Sequence, residues 1–133
     1  MSQFEEKYKP INTRWITNHF NSAEFDSPDL PGSGCKMSSV FIQKLEELRT
    51  NCDFPFQINS GYRTEDHNEL INGKKNSAHM LGLAADIHCI DSFQRYTLLK
   101  FALLCGFRRI GVYPTFIHLD IYSESPNPII WMS

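Results

Sequence analysis

No apolar run in this 133-residue chain approaches the roughly 18 residues needed to span a bilayer. Its opening segment, MSQFEEKYKP, carries acidic residues and lacks the apolar stretch of a signal peptide. These two absences lead us to expect a soluble chain with no membrane partner, cytoplasmic until release. Positive charge is not in excess either: 13 Lys and Arg stand against 15 Asp and Glu, a formal net charge of −2. That removes the electrostatic footprint of a nucleic-acid binder. Cysteine is sparse, and Cys35, Cys52, Cys89 and Cys105 include no CxxC pair. The paired spacing of a cysteine zinc finger is therefore missing, and reduced, buried thiols are expected in place of disulfides. The HExxH of a thermolysin-type helix site is absent, as are internal repeats and low-complexity tracts.

What is present is globular: 41% hydrophobic and 13% aromatic residues. The length suits one domain over residues 1–133, read here as a monomer. Ser22 to Phe25 reads as a helical turn capped by Ser22, and Asp26 to Gly34 as a surface loop. Ser38 or Ser39 then caps a helix with Val40, Phe41, Leu45 and Leu48 at helical spacing, ending near Asn51. Phe54 to Asn59 reads as a strand, and Ser60-Gly61-Tyr62-Arg63 turns the chain into a short helix capped by Thr64. A polar loop from Asn72 to His79 precedes a buried strand, Leu83 to Ile90. A helix follows from Ser92 to about Cys105, with Tyr96, Leu99 and Leu103 on its apolar side and Gly106 as its stop. Arg109 to Tyr113 and Phe116 to Tyr122 read as a hairpin through Pro114-Thr115. This order predicts an α+β domain, a mostly antiparallel sheet with helices packed on it, whose functional core covers about residues 54–122.

Three features single out chemistry. In Ser77-Ala78-His79-Met80-Leu81-Gly82-Leu83-Ala84-Ala85-Asp86, a His ends a loop and an Asp interrupts a buried strand, with small residues between them. A carboxylate in such a strand is costly unless paired or metal-bound, although loop amides could also satisfy it. In Phe116-Ile117-His118-Leu119-Asp120-Ile121 the strand period of two puts His118 and Asp120 on one face, either towards a site or as a polar surface strip. Arg63 follows a strand-to-helix turn, where a guanidinium can clamp a carboxylate in bidentate fashion or make a surface ion pair. Two imidazoles and one carboxylate, with a fourth position left for water, match the donor set of a catalytic zinc centre.

Ser60-Gly61-Tyr62-Arg63, Ser77-x-His79-x-x-Gly82-x-Ala84-x-Asp86 and Tyr113-Pro114-x-Phe116-Ile117-His118-Leu119-Asp120 resemble the zinc D-alanyl-D-alanine carboxypeptidase family. Its members are peptidoglycan peptidases that share a fold with the hedgehog signalling domain. The likeness runs from about Phe20 to Tyr122, and the short chain with its Asp-Ser-Pro-Asp-Leu-Pro-Gly-Ser-Gly loop is similar to bacteriophage-encoded lysins. The resemblance implies that His79, Asp86 and His118 bind Zn²⁺ and that Arg63 and Ser77 contact a peptidoglycan peptide. Many relatives carry Glu or Asp three residues before the last ligand, where this chain has Thr115. Asp120 is then the expected general base, with His88 as the other candidate. The expected activity is hydrolysis of a stem peptide next to a D-amino acid, by an endolysin or virion-associated lysin. The rival expectation is a zinc-stabilised binding or virion assembly module without catalysis.

Overall fold

A computed structural model describes residues 8–133. Five strands form one mixed sheet: β1 (Ile58–Ser60), β2 (Ala84–His88), β3 (Arg109–Val112), β4 (Phe116–Asp120) and β5 (Ile129–Met132). Their spatial order is β1-β2-β4-β3-β5. The first three pairings across the sheet are antiparallel, and β5 joins β3 in parallel. The α+β class and the largely antiparallel sheet are as expected. The Pro114-Thr115 hairpin is present between β3 and β4, whereas β5 was not foreseen.

Three helices complete the fold: α1 (Ser39–Cys52), α2 (Glu65–Leu70) and α3 (Ser92–Leu104). α1 starts where the Ser38 hydroxyl accepts the Phe41 N–H, satisfying one of the donors a helix start leaves unpaired. It ends one residue later than expected, with Asp53 in the left-handed region. Its buried residues are Phe41, Ile42, Leu45, Leu48 and Cys52, while Val40 is exposed. α3 is capped by Asp91, and its inward residues are Leu98 and Ala102. Tyr96 and Leu103, expected inside, are 71% and 54% exposed. Eight of the 13 α3 residues are apolar, so spacing alone does not select the inward face; packing against α1 does.

The core lies between α1, α3 and one sheet face, where Ile87, Ile110, Ile117 and Leu119 are fully buried. β4 alternates as its sequence dictates: Ile117 and Leu119 enter the core, leaving Phe116, His118 and Asp120 for the opposite face. That opposite face carries the site. The Ser22–Phe25 turn is present, but Asn21, not Ser22, caps it, in a reciprocal pair with Glu24. The Asp26–Gly34 loop is tied down by the Asp26 carboxylate, which accepts the Gly32 and Gly34 N–H groups. All four cysteines are free thiols, as expected, but only Cys52 and Cys89 are buried; Cys35 and Cys105 are partly exposed. Among the described residues, no helix is long and apolar enough to cross a membrane.

Candidate metal centre and its cleft

His79 sits in a single 3-10 turn, Ala78–Leu81, whose start is capped by the Ser77 hydroxyl accepting the His79 N–H. Gly82 ends the turn at φ +71, and a Cβ there would lie 2.2 Å from the Lys36 carbonyl oxygen. Only glycine takes both that conformation and that approach without strain. The chain then enters β2, which carries Asp86 at its centre, directly opposite His118 on β4. One oxygen of Asp86, Oδ1, is 3.2 Å from His79 Nε2 and 2.8 Å from His118 Nδ1. The donor atoms of the three residues lie within 4.8 Å of one another, and the two imidazole rings are 5.1 Å apart.

The far side of each ring fixes which nitrogen is presented. His79 Nδ1 is 2.8 Å from the Gly61 carbonyl, which can only accept, so Nδ1 carries the proton and Nε2 presents a lone pair. Burial pushes the His79 pKa down, against the pull of Asp86, which keeps the ring neutral. A neutral nitrogen lone pair facing a carboxylate oxygen repels it unless a cation is shared between them. His118 turns its Nε2 to Asp120 Oδ2 at 2.7 Å and its Nδ1 to Asp86. Burial works against charging His118, but its hydrogen bonds to Asp120 and Asp86 outweigh that and raise its pKa. Burial likewise raises Asp86, yet the bond from His118 holds its carboxyl far below the usual range. A tetrahedral ion with bonds of about 2.0–2.1 Å sets its donors roughly 3.3 Å apart. The Asp86 oxygen is already near that distance from each ring nitrogen and all three donors lie within 4.8 Å, so the set fits a metal ion, with each histidine backed by a carbonyl or carboxylate.

The remaining expected site residues fall in different places. Ser77 lines the cleft while capping the His79 turn. Arg63 also lines it, but its Nη2 donates to Asp86 Oδ2 at 3.2 Å and its Nε to the Ser60 hydroxyl at 3.0 Å. Its guanidinium thus holds the ligand carboxylate from behind. Asp120, expected as a free base, is 1% exposed and has both oxygens engaged. Oδ1 accepts from Arg109 Nε at 2.8 Å and from the Tyr122 N–H at 3.0 Å, while Oδ2 faces His118. This geometry makes Asp120 a positioning residue that acts through the His118 ring. His88 is exposed at the end of β2 and is not among the cleft residues.

The cleft over the three donors has a volume of about 770 Å³. Several of its residues escaped sequence reasoning. Trp131, on the unforeseen β5, has its ring 5.4 Å from the His118 ring and donates its Nε1–H to the Tyr113 hydroxyl at 2.9 Å. Tyr113 stacks on Phe116 at 4.4 Å. Asn68, buried on α2, accepts from Arg63 Nη1 and donates to the Lys74 carbonyl, joining the Arg63 turn to the loop before His79. For Asn68, a polar residue on the inward side of a short helix was the one available signal.

No curated protein matches the chain. The model of the Peptidase M15 family matches residues 17–120, a span that contains Arg63, Ser77, the three metal-ligand candidates and Asp120 but stops before β5. With most of its length matched and a His-Asp-His group of metal-binding geometry at its centre, the chain belongs to the Peptidase M15 family, the zinc D-Ala-D-Ala carboxypeptidase-like peptidases.

Proposed function

We propose that this protein is a zinc-dependent peptidase that hydrolyses peptidoglycan stem peptides next to a D-amino acid, as a phage-type cell-wall lysin. The bond is of the D-Ala-D-Ala carboxypeptidase or L-Ala-D-Glu endopeptidase type. The observation that carries the reading is the set of three donors, His79 Nε2, Asp86 Oδ1 and His118 Nδ1, lining one open cleft. Three protein donors are the complement of a catalytic zinc centre, since a structural one is closed by four. When bound there, zinc would supply a Lewis acid for a peptide carbonyl and lower the pKa of a coordinated water towards 7.

The chain's own residues do the rest. Gly61 and Asp120 fix the two imidazoles in their ligating tautomers through His79 Nδ1–H and His118 Nε2–H. Arg63 holds Asp86 Oδ2, leaving Oδ1 turned to the histidines, and its position on the cleft wall suits it to steady substrate carboxylate or oxyanion charge. Ser77 holds the His79 turn and offers its hydroxyl to the cleft.

A second reading is a zinc-stabilised module without catalysis. One observation favours it: among the described residues Asp86 and Asp120 are the only carboxylates lining the cleft, and both are committed to other partners. Incubating zinc-loaded protein with purified murein separates the two. Release of soluble peptides that a chelator suppresses and zinc restores supports the peptidase. Stoichiometric zinc with no release above the chelated control would establish the module instead.

A further inference from the structure

The cleft extends beyond the three donors, and the sheet register explains its course. Asp86 on β2 pairs with His118 on β4, His118 with Gly111 on β3, and Gly111 with Trp131 on β5. Register partners project to the same face, so these four residues make one row across four strands. Three strand spacings of about 4.8 Å give that row a span of roughly 14 Å. An extended peptide advances roughly 3.3–3.6 Å per residue, so about four residues could lie along it. Gly111 is the gap in the row. A Cβ there would stand 2.7 Å from the indole of Trp131. Its absence lets the ring lie over β3 and reach His118, pinned by the bond to Tyr113.

Charge along this row is uneven. Two cleft cations are neutralised, Arg63 by Asp86 and Arg109 by Asp120. Lys74 and Lys75 also line the cleft, and neither forms an ion pair with a carboxylate among the described residues. Lys74 Nζ stands 5.9 Å from the centre of the Trp131 ring. Its backbone is fixed, because Asn68 Nδ2 donates to the Lys74 carbonyl at 2.9 Å and Gly73 N–H donates to the Asn68 carbonyl at 2.8 Å. The Lys74 ammonium, without a carboxylate partner among the described residues, thus stands over the indole one strand beyond Gly111, and the paired Arg109 guanidinium stands over the same ring at 5.1 Å from its centre.

We propose that Lys74 and Trp131 form a second substrate subsite, which takes a carboxylate-bearing residue flanking the reacting bond. The indole supplies the apolar wall and the ammonium the counter-charge. The inference rests on the reading of the cleft as a peptidoglycan peptide site, and it narrows the substrate class to stem peptides with a free rather than an amidated side carboxylate.

Two synthetic stem peptides of one sequence, with the D-Glu carboxylate free or amidated, test it. Each is titrated against the metal-free chain, where no turnover intervenes, by isothermal titration calorimetry, which reads the unaltered chain and every variant alike. The free acid is expected to bind about tenfold more tightly than the amide, as one charge-assisted contact allows. Lys74→Ala, an exposed loop change, should bring the two affinities within about twofold, and Trp131→Phe should weaken both peptides. Equal affinities in the unaltered chain, or an acid preference that survives Lys74→Ala, overturns the subsite. Peptide cleavage by the zinc-loaded chain is scored separately. Cleavage without acid preference removes the subsite alone, acid preference without cleavage removes the peptidase alone, and the absence of binding and cleavage alike removes both.

Discussion

The three ligand candidates meet because each has a second partner that leaves the correct atom pointing inward. Replacing His79, Asp86 or His118 with Ala should abolish stoichiometric zinc binding, checked by elemental analysis of the purified variants. Asp120→Asn is a finer probe. It keeps the size of the side chain but removes the charge that accepts from His118 Nε2 and Arg109 Nε. Zinc affinity should fall by about 10–100-fold with the fold retained, the usual cost of losing such a partner; competition with a chelating dye measures it. The ligand candidates were legible in the sequence because an Asp between Ala85 and Ile87 in an apolar strand, and a His alternating with isoleucine and leucine, violate what those strands otherwise are. The role of Asp120 was not. Alternation tells which face a carboxylate joins, but not that His118 would present Nδ1 inward and Nε2 to it.

At the level of elements, the site depends on close approaches that side chains would prevent. Gly111→Ala pushes a methyl into the Trp131 ring, and overpacking of that kind costs about 1–3 kcal/mol. Thermal unfolding of the variant should show that loss, and Trp131 emission should shift as the indole is displaced. Ser38→Ala removes the α1 cap and should cost roughly 1 kcal/mol by denaturant unfolding, with no change in zinc content. Helix α1, the hairpin and the order of strands and helices could be read from local pattern, since caps, periodicity and turn residues lie within a few positions of one another. β5 could not. Its pairing with β3 is parallel, and Ile129-Ile130-Trp131-Met132 is apolar throughout yet mostly exposed, so it shows no alternating stripe. For α3 the obstacle was the reverse, an excess of apolar residues on several sides.

Taken as a whole, the fold should respond to metal and to acid in separable ways. Zinc at about 1,000 times its dissociation constant should stabilise the chain by roughly 4 kcal/mol, on the order of 10 °C in melting temperature, and a chelator should reverse the shift. Acid also acts away from the site. Burial raises the Glu46 pKa, but hydrogen bonds from the Thr17 hydroxyl and from His19 outweigh it, so the folded value lies below the unfolded one of about 4.3. A lowered carboxylate pKa stabilises above the unfolded value, and that contribution fades as pH falls through the folded one. Glu46→Gln should therefore be less stable than the unaltered chain near neutrality, with the gap closing below about pH 4 in urea titrations.

The row from Asp86 to Trp131 divides labour between the middle of the sheet and its rim. Outermost strands are the easiest part of a sheet to exchange, because they are bonded on one side only. A lineage could thus refit the last strand and reshape that end of the cleft, while the three candidate donors, on β4, β2 and the Ala78–Leu81 turn, stayed as they were.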